Sequence, residues 1–274
     1  MNAKPEVSIP DNISPSFAGD TSHVTKTQTS KRESRLPFRI RVVEDDEALE
    51  RALKVRQSAY MRHVPDFART MNEAESYDRE PGGLVLLAEA KLTGSPVGTM
   101  RIQTNRYRSL AMEQSVKLPE WLAGRMVGAT RLAVEAGEPG RMVKTALFKA
   151  FYLYCLQEGI QWMVIAARAP LDRQYAALLF RDVYGAGEFI PLGHAANIPH
   201  RIMAFEVETA ERRWREARHP LYEFMIGTHH SDIDLSAASA LNWPDTKVEF
   251  QRVASLADIH SGSRNTAGTE PFFR

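Results

Sequence analysis

Val127-Gly-Ala-Thr-Arg-Leu-Ala-Val-Glu135, Ala136-Gly-Glu-Pro-Gly140, Arg141-Met-Val-Lys-Thr-Ala-Leu-Phe-Lys-Ala-Phe-Tyr-Leu-Tyr-Cys-Leu-Gln157 and, past Gly159, Trp162-Met-Val-Ile-Ala-Ala167 form a run that changes period twice. The first nine residues read as a strand. After Gly140, Val143, Ala146, Leu147, Ala150, Phe151, Tyr154 and Cys155 recur at helical spacing and make one continuous apolar face. Gly159 closes that helix, and the apolar run 162–167 reads as a buried strand. The strand and the long amphipathic helix after it make the first of two strand–helix units, and the buried strand 162–167 opens the second.

Working outward, Phe38-Arg-Ile-Arg-Val-Val43 alternates as a strand does. Asp45 or Asp46 then caps a helix running to about His63, with Pro65 just past its end. Leu84-Val-Leu-Leu-Ala88 and Val97-Gly-Thr-Met-Arg-Ile102, separated by Thr93-Gly-Ser-Pro96, read as a hairpin. Pro119-Glu-Trp121 opens a short helix. Pro170 starts another, with Tyr175, Leu178, Leu179 and Val183 on one face and Gly185 at its end. Phe189–Leu192 and Arg201–Val207 are the last strands, and a helix from about Glu211, interrupted by Pro220, follows. The order predicts an α/β fold with a central mixed, twisted sheet and helices on both faces.

The 274 residues, 43% hydrophobic and 25% charged, suffice for a substantial core. A net charge of +1 gives no reason to expect nucleic acid as a partner. No apolar run reaches spanning length, so no stable membrane insertion is expected. The lone Cys155 excludes an internal disulfide and fits a cytoplasmic location. On its apolar stripe it reads as a core thiol. Residues 1–36 carry many Ser, Thr, Pro, Asn and Lys and read as a disordered tail; 37–230 is the folded domain, and 231–274 a loosely structured tail in which Trp243 and Phe250 dock locally. His229-His230 lacks a third ligand at suitable spacing and reads as a solvated loop, so no metal is expected.

Four short pieces carry a family resemblance. In the first helix Leu49, Leu53, Arg56 and Tyr60 share a stripe, and Arg56-Gln-Ser-Ala-Tyr60 resembles the Arg-x-x-x-aromatic signature of acyl-homoserine lactone (autoinducer) synthases and long-chain N-acyl amino acid synthases. Glu75-Ser-Tyr-Asp78 stands where those families keep an acidic pair, Asp78 matching by residue and Glu75 by charge. Pro96-Val-Gly-Thr-Met-Arg101 is similar to their Val-Gly-x-x-Arg strand, and Ala129-Thr-Arg-Leu-Ala-Val134 to their Ser-Arg-Leu/Phe-Ala-Val strand. The pieces fall in family order within residues 38–208. The resemblance implies a GNAT-like acyltransferase fold, with an Asp paired to the helix arginine. Two features depart from it. Gly128 stands where the lactone synthases carry a glutamate suggested as base. The Gln/Arg-x-x-Gly-x-Gly/Ala loop of CoA-dependent members is replaced by Glu135-Ala-Gly-Glu-Pro-Gly-Arg141, whose glutamates would repel a pyrophosphate at that helix start.

What the resemblance implies is an N-acyltransferase that moves a long-chain acyl group from acyl carrier protein to an amino-acid amine. It needs no cofactor, and acyl-CoA stands as the rival donor. A backbone N–H of Leu132, Ala133 or Val134 would meet the oxyanion. Glu135 and Glu75 are both candidates for the base. On strict alternation Arg131, Ala133 and Glu135 share one face of their strand, opposite Thr130, Leu132 and Val134. Either Asp78 or the acceptor carboxylate would satisfy Arg131, and Arg131 or Arg101 could hold that carboxylate bidentately. Arg56 and Asp78 serve either as a buried structural pair or to position a substrate loop; Tyr60 is either core or contact. Trp162, Met163, Ile165 and Phe180 are the expected acyl-channel lining. Arg212-Arg-Trp-Arg215 is a solvated face or a dock for an acidic carrier. A lactone-type synthase, a CoA-dependent acetyltransferase and a non-catalytic binding module remain as alternatives.

Overall fold

The computed structural model describes residues 31–238. Its sheet is built from β1 (Phe38–Val42), β2 (Gly83–Ala90), β3 (Pro96–Thr104), β4 (Met126–Val134), β5 (Trp162–Ala167) and β6 (Ile198–Glu206), side by side in that order. β1 to β4 are antiparallel neighbours, β4 and β5 run parallel, and β5 and β6 are antiparallel. Short strands extend both sides: Ile233–Asp234 beside β1, and Arg181–Asp182 and Ile190–Leu192 beside β6.

Alternation sorts the side chains of β2 between two layers. Val85 and Leu87 pack against Ala48, Leu49, Ala52 and Leu53 of α1 (Asp46–Met61). Leu84, Leu86 and Ala88 belong to the larger core, which α2 (Gly137–Gln157) fills with Val143, Ala146, Leu147, Ala150 and Phe151. Asp45 caps α1 through a 2.7 Å bond from Ala48 N–H. α2 lies so close to β3 that a Cβ on Gly98 would come within 2.5 Å of Val143 Cγ1.

Several boundaries differ from the sequence reading. α2 begins at Gly137, not after Gly140, because a proline in the first helical turn gives up an N–H that has no partner there anyway. α3 (Leu171–Ala177) stops early: Leu179 takes a left-handed φ of +69° and the chain turns into the strand at Arg181. Neither tail begins where expected. Arg32–Glu33 pairs with Thr228–His229, Leu36 is buried, and Ile233–Asp234 pairs with β1. Asp232 fastens both ends, accepting from Leu36 N–H and pairing with Lys91. The remaining tail residues, with Trp243 and Phe250, lie outside the described residues.

Of His229-His230, His229 is solvated, on a two-residue strand, and His230 is not. His230 is buried, with Nδ1 2.9 Å from Lys149 Nζ, and that buried lysine also donates to Phe224 O and Thr228 O. An α2 lysine thus ties the C-terminal segment to the core. Arg212-Arg-Trp-Arg215 falls on α4 (Ala210–Glu216), where it is not a uniform solvated face. Trp214 is buried, Arg213 donates to Leu179 O, and Arg212 and Arg215 pair with Glu216 and Glu211. Cys155 is buried, which pushes its thiol well above the ordinary range.

Candidate active site

The site forms where β4 loses its regularity. β3 and β4 pair as Arg101↔Thr130 and then Thr99↔Ala133, so Arg131 and Leu132 both stand opposite Met100. Arg131 takes a φ of +54°, which a non-glycine residue adopts only when its surroundings hold it there. The bulge breaks the alternation assumed from sequence. Thr130 and Arg131 point to the same α1 side: Thr130 Oγ1 accepts from Arg101 Nε at 3.1 Å, and Arg131 reaches Glu75.

Three arginines meet two carboxylates there. Arg56, fully buried, holds Asp78 bidentately at 2.8 and 2.9 Å, as the family resemblance implied. Arg131 holds Glu75 in the same way at 2.7 and 2.5 Å. Arg101 donates to Glu75 at 2.7 Å and lies 3.3 Å from Asp78. The Glu75-Ser-Tyr-Asp78 turn is fixed by Glu75 N–H donating to Asp78 Oδ2 at 2.9 Å. Burial raises the Glu75 carboxyl, but the Arg131 hydrogen bond and the charges of Arg101, Arg131 and Arg56 outweigh it and bring the pKa down to about 2. Burial raises Asp78 too, and Arg56 and Arg101 carry it below the ordinary range.

This geometry corrects several sequence expectations. Glu75, not Asp78, satisfies Arg131. Bound by two arginines and held ionised far below neutrality, Glu75 is unsuited to take a proton from an amine. Arg131 and Arg101 are already committed to it, so neither guanidinium is free for an acceptor carboxylate. Glu135, the other expected base, is exposed at the strand end and outside the lining of the cavities described below.

On the opposite edge of β4 the sheet opens. β4 and β5 pair only from Met126↔Trp162 to Ala129↔Ile165, and beyond that the parallel strands splay. Glu135 N–H donates to Val97 O, so the alternation of the ladder turns Ala133 N–H toward β3 and leaves the Val134 amide facing the splay. Val134 O agrees with this orientation: Arg62 Nη2 donates to it at 2.7 Å. Of the three expected oxyanion donors, Ala133 is therefore spent on the ladder.

Two cavities share Leu132 in their walls. A small one of about 70 Å³ lies in the splay, lined among others by Tyr60, Phe67, Thr130, Arg131, Arg168 and His200. Tyr60 is thus a half-buried wall of the site, edge-on to Phe67, and Phe67 covers the Arg131 guanidinium at 5.0 Å. A larger apolar cavity of about 400 Å³ is lined by Phe148, Leu178, Leu221 and Met225, with Arg141, Lys144 and His219 at its rim. Leu132, Leu171 and Tyr175 line both. The expected channel residues do not line either one. Trp162 packs edge-on against Trp121, and Met163, Ile165 and Phe180 are core.

Sequence reasoning missed two residues of the splay. Arg168 makes one hydrogen bond, 3.2 Å to the neighbouring Ala169 O, and no ion pair among the described residues. His200 lies on β6 just beyond its last pairing with β5. No local pattern marks either; only the backbone splay brings them to Arg131. Among the described residues no group of three or more His, Cys, Asp or Glu is placed to hold a metal ion, and no helix is long and apolar enough to cross a membrane.

Residues 51–198, just over half the chain and including the arginine–carboxylate cluster and Arg168 but not His200, match the family model of the N-acyl amino acid synthase FeeM. The chain belongs to the FeeM N-acyl amino acid synthase family. It is an acyltransferase of the GNAT-like fold. The solved structure of FeeM, an N-acyl amino acid synthase from uncultured soil microbes, is similar with a TM-score of 0.54 at 17% identity, over 69% of this chain and 97% of that one. BjaI, a CoA-dependent acyl-homoserine lactone synthase, superposes at 0.47 with 16% identity over 74% of this chain and 98% of its own. The lactone synthase LasI does so at 0.42 with 15% identity over 62% and 90%. No curated protein sequence matches the chain. In this FeeM-family enzyme the four sequence pieces have separate tasks: Arg56, Glu75, Asp78 and Arg101 brace the bulge, and Arg131 with Leu132 carries it to the splay.

Proposed function

We propose that this FeeM-family enzyme transfers a long-chain acyl group from acyl carrier protein to the amine of an amino acid. The observation that carries the reading is the wall that two cavities share at Leu132, Leu171 and Tyr175: one is apolar, and the other is polar and holds the Arg168 guanidinium, which has no carboxylate partner among the described residues. The acyl chain lies among Phe148, Leu178, Leu221 and Met225, where burial of each methylene contributes about 0.8 kcal/mol.

The thioester carbonyl then sits in the splay. The Val134 amide, with Leu132 beside the bulge, donates to the developing oxyanion, and no side-chain nucleophile is needed. Arg168 takes the acceptor carboxylate bidentately, leaving Glu75 to its two arginines. Attack by the neutral amine forms the C–N bond, and collapse expels the thiolate.

The helix start argues for the carrier-protein donor. CoA-binding relatives of this fold cradle pyrophosphate with free N–H groups there. In α2 that turn carries Glu138, paired with Arg141, and Pro139, which has no N–H. Lys144 instead brings positive charge to the mouth of the apolar cavity, suited to an acidic carrier surface. The test supplies purified enzyme with a mixture of amino acids and either dodecanoyl-acyl carrier protein or dodecanoyl-CoA. The reading expects an N-dodecanoyl amino acid from the carrier-protein thioester, with kcat/KM at least about tenfold above that with CoA. Preference for CoA would overturn the donor, and a lactone product the acceptor.

A further inference from the structure

An amino-acid amine is an ammonium ion at neutral pH, and it cannot attack until it loses a proton. Glu75 is engaged by two arginines and Glu135 lies outside the cavity, so the splay needs another acceptor. The phenol of Tyr175 is buried and pushed up by that burial, which leaves it protonated. His194 gives its backbone carbonyl to Arg131 at 3.3 Å, and its ring is not part of the cavity wall.

His200 is different. The residue lines the cavity and is 9% exposed. Nδ1 lies 2.6 Å from Ile198 O, and because a carbonyl can only accept, Nδ1 carries the proton. Nε2 is left with a free lone pair, and no hydrogen bond among the described residues uses it.

We propose that His200 is a catalytic residue of this enzyme, its Nε2 taking the proton from the acceptor ammonium in the splay between β4 and β5. The step rests on the acyl-transfer reading above. One proton passes from the ammonium to Nε2 and on to solvent; the neutral nitrogen attacks the thioester carbon. The second proton leaves the tetrahedral nitrogen as the C–S bond breaks and ends on the departing sulfur. The charged groups facing the ring are Arg131 from β4 and Arg168 from the turn after β5, with Tyr60 of α1, Tyr175 of α3 and His194 completing the surroundings. Burial first, and then both arginines against the Ile198 hydrogen bond, lower the His200 pKa, which keeps the ring neutral and ready to accept at physiological pH. The same arginines would be relieved by the arriving carboxylate, so acceptor binding makes the base stronger when it is needed.

The test compares wild type with His200→Gln and His200→Ala, using dodecanoyl-acyl carrier protein and the acceptor amino acid that wild type uses, from about pH 5.5 to 9.5. Thermal midpoints and substrate KM verify folding and binding. Wild-type kcat/KM falls off on the acid side below the ordinary histidine value. His200→Gln loses that limb and is reduced on the order of a hundredfold or more near neutrality. The deficit shrinks as pH rises and solvent deprotonates the amine, and added imidazole restores part of the His200→Ala activity. An active wild type with a deficit equal at every pH and no imidazole rescue would overturn the role of His200. A wild type inactive with every donor and acceptor would overturn the acyl-transfer reading on which it rests.

Discussion

The arginine cluster under α1 and the splay between β4 and β5 lie one residue apart along the same strand, yet they treat charge in opposite ways. In the cluster each carboxylate is held by at least two guanidiniums: Glu75 by Arg101 and Arg131, Asp78 by Arg56 and Arg101. In the splay, among the described residues, Arg168 has no ion pair and His200 keeps an unused lone pair. Buried charge thus marks two kinds of place. Saturated groups fix geometry, here an arginine in a left-handed conformation; unsaturated ones are the groups with capacity left for a substrate.

The comparison breaks most visibly at Asp78. Asp78→Asn leaves the fully buried Arg56 without a bidentate partner, with Glu75 3.7 Å away. The expected cost is about 3–5 kcal/mol in urea unfolding. A cost under 1 kcal/mol would mean that the cluster is not under this constraint.

Acid sharpens the same contrast. The folded pKa of Glu75 is about 2 and that of Asp78 is also depressed, both below their unfolded values. Groups of that sign contribute stability that is complete above about pH 5 and lost as pH falls through the folded values. Unfolding midpoints should drop between about pH 5 and 2, with Glu75 accounting for roughly 2–3 kcal/mol. In Glu75→Gln the drop should be smaller, and a parallel profile would contradict the assignment.

On the splay side, Arg168→Ala should leave the thermal midpoint nearly unchanged and raise KM for the amino acid about 10- to 100-fold, with a smaller change in kcat. An unaltered KM would return the carboxylate site to Arg131 or Arg101. The smallest effect is expected at Glu135: Glu135→Gln should change kcat less than about twofold, because the side chain is outside both cavities. A large loss there would reinstate it as base.

Much of this was legible in the sequence where the signal is local. The apolar stripe from Val143 to Cys155 and the hairpin around Thr93–Pro96 both formed, since helical and strand periods are set by neighbours a few residues away. Arg56, Glu75, Asp78, Arg101 and Arg131 were all named before any geometry, and they do converge. What the sequence did not disclose is who holds whom. The pairing of Glu75 with Arg131 depends on the bulge at residues 131–132, and a left-handed arginine has no local signature; tertiary contacts decide it. Arg168 and His200 were invisible for a related reason: isolated polar residues at strand ends acquire meaning only when two strands part. Lys149 shows the same limit, because nothing in its helix reveals that Phe224 O, Thr228 O and His230 await it.

The central claim is amide formation in the splay, and mass spectrometry of lipid extracts from cells expressing the chain, beside cells expressing Arg131→Ala, tests it most directly. The account predicts a new N-acyl amino acid with the wild type, and none with the variant although the variant protein is folded. Soluble, folded wild type that yields no acyl amide, or a variant that yields as much as the wild type, would contradict it.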